Sequence, residues 1–119
     1  MNMSNLEIVK VNEYLAKHKG ELSKEVGNII KRIRKEKEIS ISQMAERTCM
    51  NVSYLRQLEK GDYGVTLIKL ITICNALEVS PNLLLNDFIV GDKANEDLIY
   101  EELQGDKNLS KNIIEVLKR

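Results

Sequence analysis

The chain has 119 residues, 43% hydrophobic and 30% charged, and its 18 cations balance 18 anions. That length and balance describe one soluble globular domain with short additions and exclude a disordered or extreme-charge chain. No apolar run approaches the roughly 20 residues that span a bilayer, and no charged-then-apolar leader opens the chain, so the expected location is cytoplasmic.

Aromatic residues are only 4% and there is one proline, which favours an all-α fold around an aliphatic core. Cys49 and Cys74 stand apart with no CxxC partner, and His18 is the one histidine. Two reduced thiols, no metal site and no cofactor are the reading. Zero net charge argues at first against a nucleic-acid partner, but its distribution argues the other way. Residues 23–85 carry ten cations against seven anions, residues 86–119 five against eight, and residues 1–22 three of each. The basic excess is modest and lies in the middle of the chain.

In chain order, the first four residues read as disordered. Residues 5–17 predict a helix with Ile8, Val11 and Leu15 along one face, packing on the core, on the C-terminal segment or on a second subunit. His18 follows as a solvated residue at the helix end, where a cation is mildly favoured. A second helix is expected over residues 24–37, capped by Ser23, with Val26, Ile29, Ile30 and Ile33 as its buried stripe and Lys31, Arg32, Lys35 and Lys37 as a basic face. Ser40 and Gln43 form a capping box for a helix over 41–48, whose apolar positions are Ile41, Met44 and Ala45. The pattern breaks at Thr48-Cys49-Met50. Asn51 caps the next helix, residues 52–60, with Leu55 and Leu58 inward and Gly61 as its stop. Two helices of eight or nine residues around so short a joint match a helix-turn-helix.

Gly61-Asp62-Tyr63-Gly64 reads as a turn. Thr66 caps a helix with apolar residues nearly all round it, Leu67, Leu70, Ile71, Ile73, Cys74 and Leu77, which predicts a largely buried element with Lys69 as the exposed exception. Ser80-Pro81 opens a short helix in which Leu83 to Leu85 close the core. Beyond Asn86 the composition turns acidic, with Phe88, Ile89 and Val90 placed to cap the domain or join an interface. Helices are expected over 96–103 and after a Ser110 cap, the latter with Ile113, Ile114 and Leu117 on one face.

From about Glu25 to Leu85, half of the chain, the segments VGNIIKRIRKEKEIS, SQMAERT, VSYLRQLEKG and TLIKLITICNALEVSPNLLL resemble the Cro/lambda-repressor-type helix-turn-helix regulators in order, spacing and type. The resemblance implies a five-helix DNA-binding domain over residues 23–86, with an N-terminal helical arm at 1–22 and a C-terminal helical segment at 87–119 for dimerisation or partner binding. It matches Val52, Ser53, Arg56 and Gln57 to positions that meet base edges. The chemistry suits each: Gln57 can bond adenine and Arg56 guanine in bidentate fashion, Val52 can touch a thymine methyl, and Ser53 can reach a base or a phosphate. Arg56 could equally hold a phosphate. Ser40, Gln43, Tyr54, Tyr63 and Lys69 are the expected phosphate contacts, with the ring of Tyr54 resting on the domain. Arg34 and Glu59 match a family pair that forms a structural salt bridge.

Three residues depart from the family pattern. Ile41 stands where relatives often carry a phosphate-binding glutamine. Cys49 stands where they often carry a glycine at positive φ, and Asp62 where they often carry a basic residue. No nucleophile–base pair or phosphate loop is present, so an enzyme is not expected. The expected function is a sequence-specific transcription regulator, a repressor that acts as a homodimer on double-stranded DNA with a palindromic operator. A repressor that occludes promoter DNA needs no cofactor. The alternative is a protein-interaction module, an antitoxin or antirepressor-controlled adaptor, whose C-terminal helices bind a regulatory protein or peptide. The dimer contact could lie in residues 1–22, in residues 86–119 or in the fifth domain helix.

Overall fold

The computed structural model describes residues 3–90 and 115–116, and every regular element among them is helical. Six α-helices follow one another: α1 (Asn5–Lys17), α2 (Lys19–Glu36), α3 (Ile41–Thr48), α4 (Val52–Lys60), α5 (Leu67–Leu77) and α6 (Pro81–Leu85), then a 3₁₀ turn at Asn86–Phe88. The helix expected over 96–103 lies outside the described residues, as does the one after Ser110 except for Glu115 and Val116, which are helical. No single helix among the described residues is long and apolar enough to cross a membrane.

The chain divides into two units, Gly20–Leu84 and a second formed by Met1–Lys19 with Leu85–Arg119. In the second unit α1 starts at Ser4, which is ordered rather than frayed: its hydroxyl accepts from Glu7 N, and the Glu7 carboxylate accepts from Ser4 N, each at 3.2 Å. Of the expected apolar face, Val11 is buried, Leu15 is half-buried and Ile8 stays 42% exposed. His18 is half-buried rather than solvated. Its Nδ1 lies 2.7 Å from the Tyr14 carbonyl, which it can meet only as a donor, and its ring stacks on Tyr14 at 3.9 Å.

Helix α2 begins at Lys19, a full turn before the expected start, and Ser23 lies inside it. Lys19, Glu21, Leu22, Lys24 and Glu25 are strong helix formers, and they outweigh one glycine and one serine. Within Gly20–Leu84 the core is aliphatic: Val26, Ile29, Ile30 and Ile33 of α2, Ile39, Met44 of α3, Leu55 and Leu58 of α4, Ile73, Cys74, Ala76 and Leu77 of α5, and Leu84 of α6. Leu83 remains 48% exposed, so of the three leucines that open onto the core only Leu84 is fully buried. Helix α3 packs on both α4 and α5.

The helices are short, and their ends are specified locally. Ser40, Asn51 and Thr66 each cap the following helix through a side-chain oxygen. Helices α2, α4 and α5 each close with a bond from the residue after a left-handed residue back into the last turn: Ile39 N to Arg34 O, Asp62 N to Gln57 O and Val79 N to Cys74 O, all 3.0 Å. The left-handed residues are Glu38 (φ 57°), Gly61 (φ 85°) and Glu78 (φ 59°). Lys37 Nζ reaches the Glu78 carbonyl at 3.5 Å, and Arg47 Nη1 donates to the Ala76 carbonyl at 2.9 Å, which places cations against the last carbonyls of α5.

Two close approaches join α2 to α4. A Cβ at Gly27 would lie 2.5 Å from the Leu58 carbonyl oxygen and 2.6 Å from that of Glu59. Beside it, Arg34 and Glu59 form a buried bidentate pair, Nε to Oε2 at 2.7 Å and Nη2 to Oε1 at 3.1 Å, and Arg34 Nη1 donates to the Ile39 carbonyl at 2.9 Å.

Two substitutions test these joints. Glu59→Ala leaves the Arg34 guanidinium buried with one carbonyl partner, and we expect a loss of roughly 3–5 kcal/mol in urea unfolding. Gly27→Ala raises helix propensity by up to about 1 kcal/mol, yet backbone carbonyls cannot yield to the new methyl; the expected result is net destabilisation, since overpacking costs about 1–3 kcal/mol. A stabilised Gly27→Ala protein would show that α2 and α4 are not in this contact.

Candidate nucleic-acid interface

The surface in question is built from α3, the turn Cys49–Asn51 and α4. Helix α3 starts at a complete capping box: Gln43 N donates to Ser40 Oγ at 3.0 Å, and Ser40 N donates to Gln43 Oε1 at 2.8 Å. The box consumes the Gln43 carbonyl oxygen and leaves its Nε2 amide with two donors. The Ile41 and Ser42 N–H groups open the helix with no intrahelical acceptor. Ser40, Ser42 and Gln43 are exposed and Ile41 is half-buried, so this end of α3 presents donors despite the isoleucine at its first position.

At the turn, Cys49 adopts φ 60°, ψ 27°, the left-handed geometry expected at that position. A side chain there carries roughly 1–2 kcal/mol of strain. Thr48 offsets part of it by bridging the joint: its buried hydroxyl donates to the Met44 carbonyl at 2.7 Å and accepts from Met50 N at 3.3 Å. Asn51 Oδ1 then accepts from Tyr54 N at 2.7 Å and starts α4.

The faces of α4 separate cleanly. Leu55, Leu58 and Glu59 are buried. Ser53, Arg56 and Lys60 are exposed, and Val52, Tyr54 and Gln57 are half-buried. The four residues matched to base contacts, Val52, Ser53, Arg56 and Gln57, therefore share the side of α4 that the core does not use. Arg56 makes no ion pair among the described residues, which leaves its guanidinium open to a ligand.

Tyr54, Tyr63 and Lys69 come together, which their separation in sequence does not reveal. The rings of Tyr54 and Tyr63 stack with centroids 5.2 Å apart and planes 10° from parallel. Lys69 Nζ donates to the Tyr54 hydroxyl at 2.6 Å and lies 4.1 Å from its ring centroid. Lys69 is thus half-buried and engaged rather than exposed, and Tyr54 rests on another tyrosine rather than on the domain body alone. With the ammonium loading its lone pair, the Tyr54 hydroxyl keeps its own proton for an outside acceptor. Asp62 is exposed beside this cluster and opposes an anion there. Among the described residues, no group of three or more His, Cys, Asp or Glu gathers as a metal site requires.

Comparison with known proteins finds the helix-turn-helix segment as well. Residues 30–84 match the family model described as helix-turn-helix. The immunity repressor protein of Bacillus phage phi105 is 33% identical over 98 residues, covering 78% of this chain; the chain spans 62% of the length of that relative. Among solved structures, the chain is similar to the restriction-modification controller protein C.AhdI from Aeromonas hydrophila, at TM-score 0.51 and 25% identity, over 54% of this chain and 96% of that one. It is similar also to the clp gene regulator ClgR from C. glutamicum, at TM-score 0.54 and 27% identity, over 56% of this chain and 87% of that one.

The two thiols differ in a way that tests the turn. Cys49 is exposed, whereas Cys74 is buried in α5 and burial pushes its thiol up from the usual range. Titration of the native protein with a disulfide reagent should show one fast thiol and one that reacts only on unfolding, and Cys49→Ser should remove the fast phase. Two fast thiols would mean that α5 is not packed as described.

Proposed function

The chain belongs, through residues 30–84, to the Cro/lambda-repressor type of helix-turn-helix regulators, and from that premise we propose that it is a sequence-specific repressor that binds double-stranded DNA as a homodimer. The observation that carries the reading is the row Val52, Ser53, Arg56 and Gln57 on the solvent side of a helix whose opposite side is locked into the core. Helix α4 enters the major groove, with Gln57 and Arg56 reading base edges and Val52 and Ser53 completing the contact.

The donors at the start of α3 (the Ile41 and Ser42 N–H groups, Ser40 Oγ and Gln43 Nε2) hold one stretch of backbone phosphate. The Tyr54 hydroxyl, Tyr63 and Lys69 hold another. Residues 23–85 carry a net charge of only three positive, so non-specific attraction is weak and specificity rests on fitted contacts. Two copies place their recognition helices about 34 Å apart and read a palindrome with half-sites about one turn apart. Repression follows from occlusion of the promoter by the bound dimer. That the phage phi105 relative is an immunity repressor supports this assignment.

The test is fluorescence anisotropy with labelled duplex from upstream of the chain's own gene, against excess unrelated DNA and across a salt series. Arg56→Ala and Gln57→Ala should each weaken specific binding by about 1–3 kcal/mol per true base contact and relax preference at one position. Lys69→Ala should weaken binding to all sequences alike and reduce the salt slope by about one phosphate. If alanine at both Arg56 and Gln57 leaves specific binding intact, α4 is not the reading helix.

A further inference from the structure

Outside the helix-turn-helix segment at residues 30–84 lies a cleft that the DNA-binding surface does not use. Its volume is about 410 Å³, and it is lined by Lys10, Glu13, Tyr14, Lys17, His18 and Val116. All but Val116 come from α1 and its C-cap, at positions three, four, seven and eight after Lys10, which is one face of a helix. Val116, from a second helical segment, adds an apolar wall.

The face suits an anion. Lys10 and Lys17 outnumber Glu13, and none of the three makes an ion pair among the described residues. An anion near a helix C-terminus ordinarily meets unsatisfied carbonyls. Here the Tyr14 carbonyl is covered twice by His18, through its backbone N at 3.1 Å and its Nδ1 at 2.7 Å, and the Leu15 carbonyl accepts from the same N at 3.1 Å. Because Nδ1 must donate to that carbonyl, the neutral ring keeps a lone pair on Nε2, which has no partner among the described residues. The Tyr14 and His18 rings stack at 3.9 Å with planes 19° apart, so two half-buried residues together present an aromatic wall. The volume lies within the range of about 300–1,000 Å³ that takes a small organic molecule.

We propose that this cleft binds a small organic anion with a flat ring, an aromatic carboxylate or a nucleoside monophosphate. Its acidic group sits between the Lys10 and Lys17 ammonium groups. Its ring lies against the Tyr14–His18 stack and Val116, and His18 Nε2 accepts from a hydroxyl or amino group of the ligand. Inorganic phosphate satisfies the lysines alone and binds more weakly. The site goes beyond the DNA-binding reading and does not rest on it.

Proton NMR of the full chain reads the site directly, because His18 is the single histidine. Its ring signals are followed while AMP, 4-hydroxybenzoate or inorganic phosphate is added at constant pH and ionic strength. AMP or 4-hydroxybenzoate should shift them saturably with a midpoint at or below about 1 mM, and inorganic phosphate should need roughly fivefold more. Whichever ring compound binds more tightly identifies the acidic group as phosphate or carboxylate. Lys10→Gln combined with Lys17→Gln, both at exposed positions that leave the fold intact, should raise the midpoint roughly fivefold. Tyr14→Leu should remove the preference over inorganic phosphate. No shift up to about 10 mM, equal midpoints for all three probes on wild type, or an unchanged midpoint in the lysine variant overturns the proposal.

Discussion

The Arg34–Glu59 pair is the constraint on which the recognition surface depends. Each guanidinium and carboxylate buried in a low-dielectric interior requires partners, and here the set is nearly complete: two bonds between the side chains and a third from Arg34 to the Ile39 carbonyl. One side chain thus ties α2, the turn after it and the end of α4 into one body. Aliphatic contacts at Leu55 and Leu58 hold α4 against the core but tolerate small rotations. A bidentate pair does not, because it is directional. It sets the rotation of α4 about its own axis, and with it which side chains face outward. Gly27 makes the short span possible by letting α2 approach the Leu58 and Glu59 carbonyls.

The remaining helices are too short to stand alone. Lengths of 8, 9 and 11 residues for α3, α4 and α5 lie below what an isolated helix needs in water. Their stability comes from the shared aliphatic core, and their limits come from caps and left-handed stops. Three of those stops fall on residues other than glycine, Glu38, Cys49 and Glu78. Each carries strain that neighbouring bonds offset: Lys37 on the Glu78 carbonyl, Thr48 across Cys49 and the Arg34 bond beside Glu38. The site is therefore a rigid pair of helices on a scaffold that fixes their mutual angle, which is what presentation of a fixed row of side chains requires.

The surface is modest in charge and specific in placement. For the phosphate contacts proposed above, Ile41 offers no side-chain donor and Asp62 opposes an anion, while the α3 capping box and the Tyr54–Lys69 pair supply donors. Such a surface depends on shape more than on charge.

Local chemistry was legible in the sequence. The limits of α3 and α4, the start of α5, the caps at Ser40, Asn51 and Thr66 and the aliphatic core follow from side chains that act within a few residues of themselves, while the left-handed Cys49 follows from the family resemblance. The start of α2 was not, because strong helix formers on either side overrode the serine that reads as a cap. Nor were the fates of long-range side chains. Composition makes α5 a buried helix, yet burial depends on which neighbours arrive, and among the described residues Leu67, Ile68 and Ile71 stay exposed. Lys69 reads as a free cation until the fold brings it to Tyr54, fifteen positions away. The sequence by itself determined where α3 and α4 begin and end and where α5 begins, since capping and periodicity are local. Only the tertiary structure decided which faces they bury and which side chains meet, because those depend on contacts between residues far apart in the chain.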